Sequence, residues 1–178
     1  MKEFPFPNKI ESREELKRDV LYRKIPIQDI GRIADNAWNT GVREAQRCLT
    51  KYPGLDIRQM IEQEQLTIQT EVKDNISGKQ RYFSEYYSGR KTIILYSLSI
   101  GKWAESNSLD YEEAEDLLIS HEFYHHLECN VLGLTSKQFK VPTLRIGPLI
   151  LAKSGILALS EIGAHGFVRT MYEKNGAF

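Results

Sequence analysis

Cysteine is nearly absent. Cys48 and Cys129 are the only two in 178 residues, and they share no C-x-x-C spacing. That excludes a disulfide-stapled fold, and a reducing, cytoplasmic setting is expected. An excess of either charge is also missing: 24 Lys and Arg balance 24 Asp and Glu. No polyelectrolyte face for nucleic acid follows from such a balance, so no direct nucleic-acid binding is expected. The N-terminal residues hold no apolar leader segment. The most apolar window, 146–162, contains Pro148, Lys153 and Gly155. It is too interrupted to span a membrane and is expected to be a buried helix. No membrane partner is expected, and no internal repeat is visible. Apolar residues make up 41% of the chain, which excludes global disorder.

Histidine is scarce as well, with four in the chain, and its placement is informative. Three fall together as His121, His125 and His126, and the fourth is His165. His121-Glu122-Phe123-Tyr124-His125 is an H-E-x-x-H string. On a helix, residues four apart share a face, so both imidazoles can grip one Zn²⁺. The glutamate beside the first ligand can then take a proton from metal-activated water. His126 lies about 100° further round the helix and is expected to pack or to support a ligand. Glu128 is expected to be a solvated charge or an acceptor behind a ligand. Cys129 is expected to be a small buried hydrophobe.

The segment around the motif has helical periodicity. Asp110-Tyr111-Glu112-Glu113 has the capping-box form, and acidic residues fill the first turns, where the helix dipole favours them. Ala114, Leu117, Leu118, His121 and His125 keep helical spacing. No Gly or Pro interrupts the run to Leu132.

A tetrahedral catalytic zinc takes three protein ligands and keeps one position open. The H-E-x-x-H supplies two, and no histidine follows within a dozen residues of His126. Glu161 and His165, four apart on one predicted helix, are both candidates for the third. With Glu161 as ligand, His165 stands one turn on, where it can hydrogen-bond a ligand or steady an oxyanion. Tyr124 and Tyr96 are further candidates for the oxyanion donor. A fourth protein ligand from Cys129 or His165 would close the shell and make the zinc structural.

Residues 1–25 read as an arm and a short helix, with a capping box at Ser12-Arg13-Glu14-Glu15. Residues 26–178 read as the main domain. A long helix starts at Pro26, with a stripe from Ile30 through Trp38 and Gly41 to Leu49, and Pro53-Gly54 stops it. A short helix over 56–65 follows. Alternation then predicts a strand at Leu66–Val72, a turn at Asn75–Gly78, a strand at Arg81–Tyr87 and a central strand at Lys91–Ser97. A short helix at Gly101–Glu105 precedes the motif helix. A loop is expected at Gly133–Pro148, and a last helix runs from about Leu157 to Lys174. The class is α+β: a small, mostly antiparallel three-stranded sheet packed on helices.

This combination resembles the ImmA/IrrE family of zincin-like (gluzincin) metallopeptidases over roughly residues 30–175. The resemblance rests on the strand Thr92-Ile93-Ile94-Leu95-Tyr96, the H-E-x-x-H at 121–125 and Glu161-Ile162-Gly163-Ala164-His165-Gly166-Phe167, an E-x-x-A-x-x-F. It implies a zincin-like fold with an H-E-x-x-H active-site helix. It also implies one catalytic Zn²⁺ on His121, His125 and Glu161, with Glu122 as general base and a protein or peptide as substrate. Tyr124 replaces the family's usual small residue, and His165 its usual Asn. The resemblance also allows a catalytically silent domain that binds metal and acts in regulation. An edge strand near Tyr86 or Tyr96 is expected to hold substrate by main-chain pairing.

Overall fold

The computed structural model describes residues 4–174, and the fold is mixed α+β, with small sheets packed on helices. The N-terminal segment is more broken than its sequence suggests. A 3₁₀ turn at Glu11–Glu14 leads into one turn of helix, α1 (Glu15–Arg18), and 3₁₀ turns follow at Tyr22–Lys24 and Ile27–Asp29. Ser12 is not a cap. Asn8 does that work, its Oδ1 accepting from the backbone N–H of Ile10 at 2.9 Å and of Glu11 at 3.1 Å. Ser12 is thereby turned inward and fully buried.

The long helix α2 (Ile30–Lys51) forms as its stripe predicts. Helix α3 (Ile57–Gln63) opens on a reciprocal capping box between Asp56 and Gln59. Strand β1 (Thr67–Glu71) comes next. The expected turn at 75–78 is instead the first arm of a hairpin: β2 (Asn75–Ser77) and β3 (Gln80–Tyr82) pair across Gly78, whose φ is +61°. Asp74 ties this hairpin down, accepting from Arg81 Nε at 2.8 Å, Ser99 Oγ at 3.1 Å and Lys102 Nζ at 2.5 Å. The single strand expected at 81–87 is therefore two, with β4 (Ser84–Tyr87) starting after Phe83.

Strand β5 (Thr92–Tyr96) is central, as expected. The sheet order is β1-β5-β4, with β4 antiparallel to β5 but β1 parallel to it. The three-stranded sheet is thus mixed rather than mostly antiparallel. The chain leaves β1 through the β2–β3 hairpin, and β1 and β5 then run in the same direction. Helix α4 (Ser97–Asn107) is longer than the 101–105 stretch expected.

Helix α5 (Tyr111–Leu127) carries the H-E-x-x-H. Its N-cap is Asp110, which accepts from Glu113 N at 2.7 Å. The α-helical run stops at Leu127, and a π-helical turn covers Glu128–Leu132. The largest departure follows. The apolar 146–162 window is not a buried helix, and 133–148 is not a plain loop. Strands β6 (Lys140–Ile146) and β7 (Leu149–Gly155) form a two-stranded ribbon whose large apolar residues lie mostly exposed. The physical reason is the turn. Gly147, at φ +57°, precedes Pro148, and a glycine in the first position suits a two-residue hairpin loop. Helix α6 (Ala158–Lys174) ends the described chain.

Helix α6 packs against both α2 and α5, and α5 also lies against β4. One core holds Phe123, Tyr124, Phe167, Ile93 and Leu95, and a second gathers Leu16, Trp38, Ile156 and Leu159. The N-terminal segment contributes Phe6 to the first and Leu16 and Ile25 to the second. No described helix is long and apolar enough to cross a membrane.

The cysteines fall on opposite sides of the surface. Cys48 is buried, and Cys129 is exposed rather than the buried hydrophobe expected. Burial pushes the Cys48 thiol up to about 12. At about pH 8 a maleimide should therefore label only Cys129 in the folded chain and both thiols after denaturation. Intact-mass spectrometry reads the count, and rapid labelling of both in the native state would contradict this packing.

Candidate metal centre

Three donor atoms converge between α5 and α6. His121 Nε2 lies 3.2 Å from His125 Nε2 and 3.3 Å from Glu161 Oε2, and His125 Nε2 lies 3.6 Å from Glu161 Oε1. Zinc bonds of about 2.0–2.1 Å at tetrahedral angles place ligand atoms about 3.3–3.4 Å apart. The observed triangle fits a cation of that size. His121, His125 and Glu161 are the only such three-donor group among the described residues. Residue 165 is not in the triangle.

The surroundings suit positive charge. Glu128 is buried, 2% exposed, and accepts from three groups: His125 Nδ1 at 3.0 Å, Thr135 N at 2.8 Å and Ser160 Oγ at 3.0 Å. Of the two readings open to Glu128, the structure shows a buried acceptor behind His125 rather than a solvated charge. With its proton on Nδ1, the His125 ring turns the Nε2 lone pair toward the other donors. Burial opposes charge on His125, but the Glu128 hydrogen bond and the nearby Glu161 and Glu122 outweigh it and raise it to about 9. Burial likewise raises the Glu161 carboxyl, yet the His121 contact and the His125 and His165 rings hold it well below the usual range. His121 Nδ1 differs from His125 Nδ1: it is buried and has no hydrogen-bond partner among the described residues, and its ring stacks on Phe6 at 5.7 Å.

Glu122 stands beside the triangle, 5% exposed, with Oε1 accepting from Ser84 Oγ at 2.7 Å. Ser84 opens β4, the edge strand of the sheet. No sequence motif marks Ser84, because its role comes from the sheet crossing over α5. Ser12 departs from its expected capping role for a similar reason. Its hydroxyl meets His165 Nδ1 at 3.2 Å, across 153 residues of chain. Burial and the neighbouring His121 depress His165 to about 3, so its ring is neutral.

The two tyrosines proposed as oxyanion donors are engaged elsewhere. Tyr124 is fully buried with its hydroxyl 2.7 Å from Thr135 Oγ1, and the Tyr96 hydroxyl bonds Glu85. Tyr124 fits beside α6 only because residue 163 is glycine, since a Cβ there would overlap its phenol. His126 is buried against Phe123, with Nδ1 3.0 Å from the Tyr86 hydroxyl, and stays outside the centre as its helical angle requires.

His121, Glu122, Glu161 and His165 line a cleft of about 1020 Å³. Its walls are the β2–β3 hairpin, with Gln80 and Tyr82, and the N-terminal segment, with Phe6 and Arg18. No family model matches this chain, and no curated protein or solved structure was found to match it.

Proposed function

We propose that this chain is a zincin-like metallopeptidase of the ImmA/IrrE type, hydrolysing peptide bonds in a protein or peptide substrate. The observation that carries the reading is the donor triangle of His121, His125 and Glu161 with Glu122 adjacent to it. His121, His125 and Glu161 would hold one Zn²⁺, leaving room for a water, and three donors rather than four favour a catalytic ion. Bound zinc supplies a water acidic enough to attack at neutral pH and polarises the scissile carbonyl.

The chain's own groups do the rest. Glu122 Oε1 is held by Ser84, so the carboxylate keeps one orientation with Oε2 available. That oxygen takes the proton of the attacking water and returns it to the leaving nitrogen. His165 is neutral and lines the cleft. When Ser12 donates to Nδ1, the ring's hydrogen sits on Nε2, where it donates to the developing oxyanion. Among the described residues no strand pairs with the outer edge of β4 beside Glu122, so an extended peptide has main-chain groups to pair with. Of the two strands considered for that role, Tyr86 lies on β4, whereas Tyr96 lies on the central β5.

Glu128 gives a quantitative handle. Removing the acceptor behind a ligand imidazole commonly weakens metal binding about 10–100-fold. Glu128→Gln should do so while the chain stays folded, as read by competition with a zinc chelator: its single amide oxygen stays with Thr135 N and Ser160 Oγ, which turns an NH₂ donor toward His125 Nδ1. Affinity equal to wild type would mean that the His125 contact does not orient the ligand.

The reading is tested by incubating the zinc-loaded chain with a mixed peptide library and following new termini by mass spectrometry. Cleavage should stop on chelation and return with zinc. Stoichiometric zinc binding with no cleavage of any peptide or protein offered would favour the silent regulatory domain.

A further inference from the structure

The β6–β7 ribbon supplies no residue to the donor triangle or to the cleft. Its far end carries apolar side chains on both faces, Ile146 and Leu149 on one and Ile150, beside Arg145, on the other. Ile146 pairs with Leu149, and Arg145 with Ile150, so neighbouring pairs point to opposite sides. Leu144, Ile146, Leu149 and Leu151 are 54, 67, 60 and 47% exposed. Soluble surfaces seldom gather such residues without a partner.

The charge along this stretch of the chain is one-sided. From 129 to 160 the chain has no Asp or Glu, yet it holds Lys137, Lys140, Arg145 and Lys153. This is the longest departure from the overall charge balance. Lys140 and Lys153 are exposed near the ribbon's base, where Lys140 faces Gly155 and Lys153 faces Pro142. Lys24 reaches the same base, bonding the Thr143 carbonyl at 3.5 Å.

We infer that the β6–β7 hairpin is a membrane-surface anchor that inserts its apolar end into an anionic bilayer, with the basic collar at headgroup level. Three physical points select this occupant. A protein groove covers one face of a ribbon, whereas lipid surrounds both. A second copy is disfavoured by charge, since matching hairpins bring Arg145 and Lys153 against their own kind. It is also disfavoured by size. Seven residues of a two-stranded ribbon are about 23 Å by about 10 Å, so one face offers on the order of 230 Å², against roughly 800 Å² per partner in a stable interface. The depth also fits. From Leu144 to the turn is about 10 Å, comparable to the 5–10 Å by which interfacial elements enter the headgroup–acyl boundary. Arg145, within the apolar end, has a stem long enough to return its charge to the headgroups. This is surface attachment without a span, and it does not depend on the metal site.

The test is co-sedimentation of the full chain with phosphatidylcholine vesicles, neutral or with about a third phosphatidylserine. Wild type should sediment with the anionic vesicles and weaken as salt rises. Leu149→Asp, and separately Lys140→Glu with Lys153→Glu, should each cut partitioning at least tenfold. Circular dichroism should show both folded, because all three positions are exposed. The inference fails if wild type stays in the supernatant with anionic vesicles, or if the variants sediment as wild type does. It also fails if the chain is a dimer that Leu149→Asp splits and no vesicle binding occurs.

Discussion

Glu122→Gln should lower peptide hydrolysis by about 10²–10⁴-fold and leave the bound metal in place. The two halves of that expectation come from different atoms. Glu122 is outside the donor triangle, so its charge is not needed to hold a cation. The amide oxygen of glutamine can still accept from Ser84, which keeps the side chain where it is. What glutamine cannot do is take a proton from water. Turnover on the most rapidly cleaved peptide and zinc content per chain should be measured on the same preparation. Activity within tenfold of wild type would remove Glu122 from the base role. Loss of zinc along with activity would make it a ligand.

Gly41→Ala should destabilise the fold by about 3 kcal/mol or more, although glycine to alanine inside a helix usually gains about 0.5–1 kcal/mol. The sign reverses because α2 and α6 touch backbone to backbone here. A methyl on residue 41 would overlap the Gly163 carbonyl and stand 2.8 Å from Phe167 N. At the same crossing, a methyl on Gly166 would stand 2.5 Å from the Trp38 carbonyl oxygen. Backbone cannot rotate aside as a side chain does, so the helices must separate and the close packing between them is lost. Because α6 carries Glu161 and His165, that shift also spreads the donor triangle. Gly101→Ala is the control: it lies within α4, and nothing stands within 4 Å of its new methyl. A fall in Tm of at least about 6 °C for the first and none for the second is expected for a domain of this size. Equal thermal stability of Gly41→Ala and wild type would contradict the crossing described.

The same two helices mark the boundary of what the sequence makes legible. Spacing alone places His121 and His125 on one face of α5, because local geometry sets that relation. Glu161 and His165 could be named together but not ranked by spacing. Which of them meets α5 depends on the α2–α6 approach, and that is set by small residues 122 positions apart in sequence, Gly41 and Gly163. Ser12 looked like a cap because S-x-x-E is a local pattern, whereas Asn8 won the cap and freed Ser12 for His165. The β6–β7 ribbon departs from the buried helix that its hydrophobicity suggests. An apolar run with Gly147-Pro148 at its start is compatible with the second arm of a hairpin, but the expectation that apolar means buried favours a helix. Glu128, three residues beyond His125, was within reach of helical reasoning, and only its burial decides that it is an acceptor rather than a solvated charge.

The central claim is that side chains 121, 125 and 161 share one cation. Metal content of the purified full chain, measured by plasma mass spectrometry with His121→Ala, Glu161→Ala and His165→Ala alongside, tests it most directly. The account predicts one zinc per chain, lost in the first two variants and kept in the third. A chain that takes up no divalent metal, or zinc that survives Glu161→Ala and disappears in His165→Ala, would contradict it.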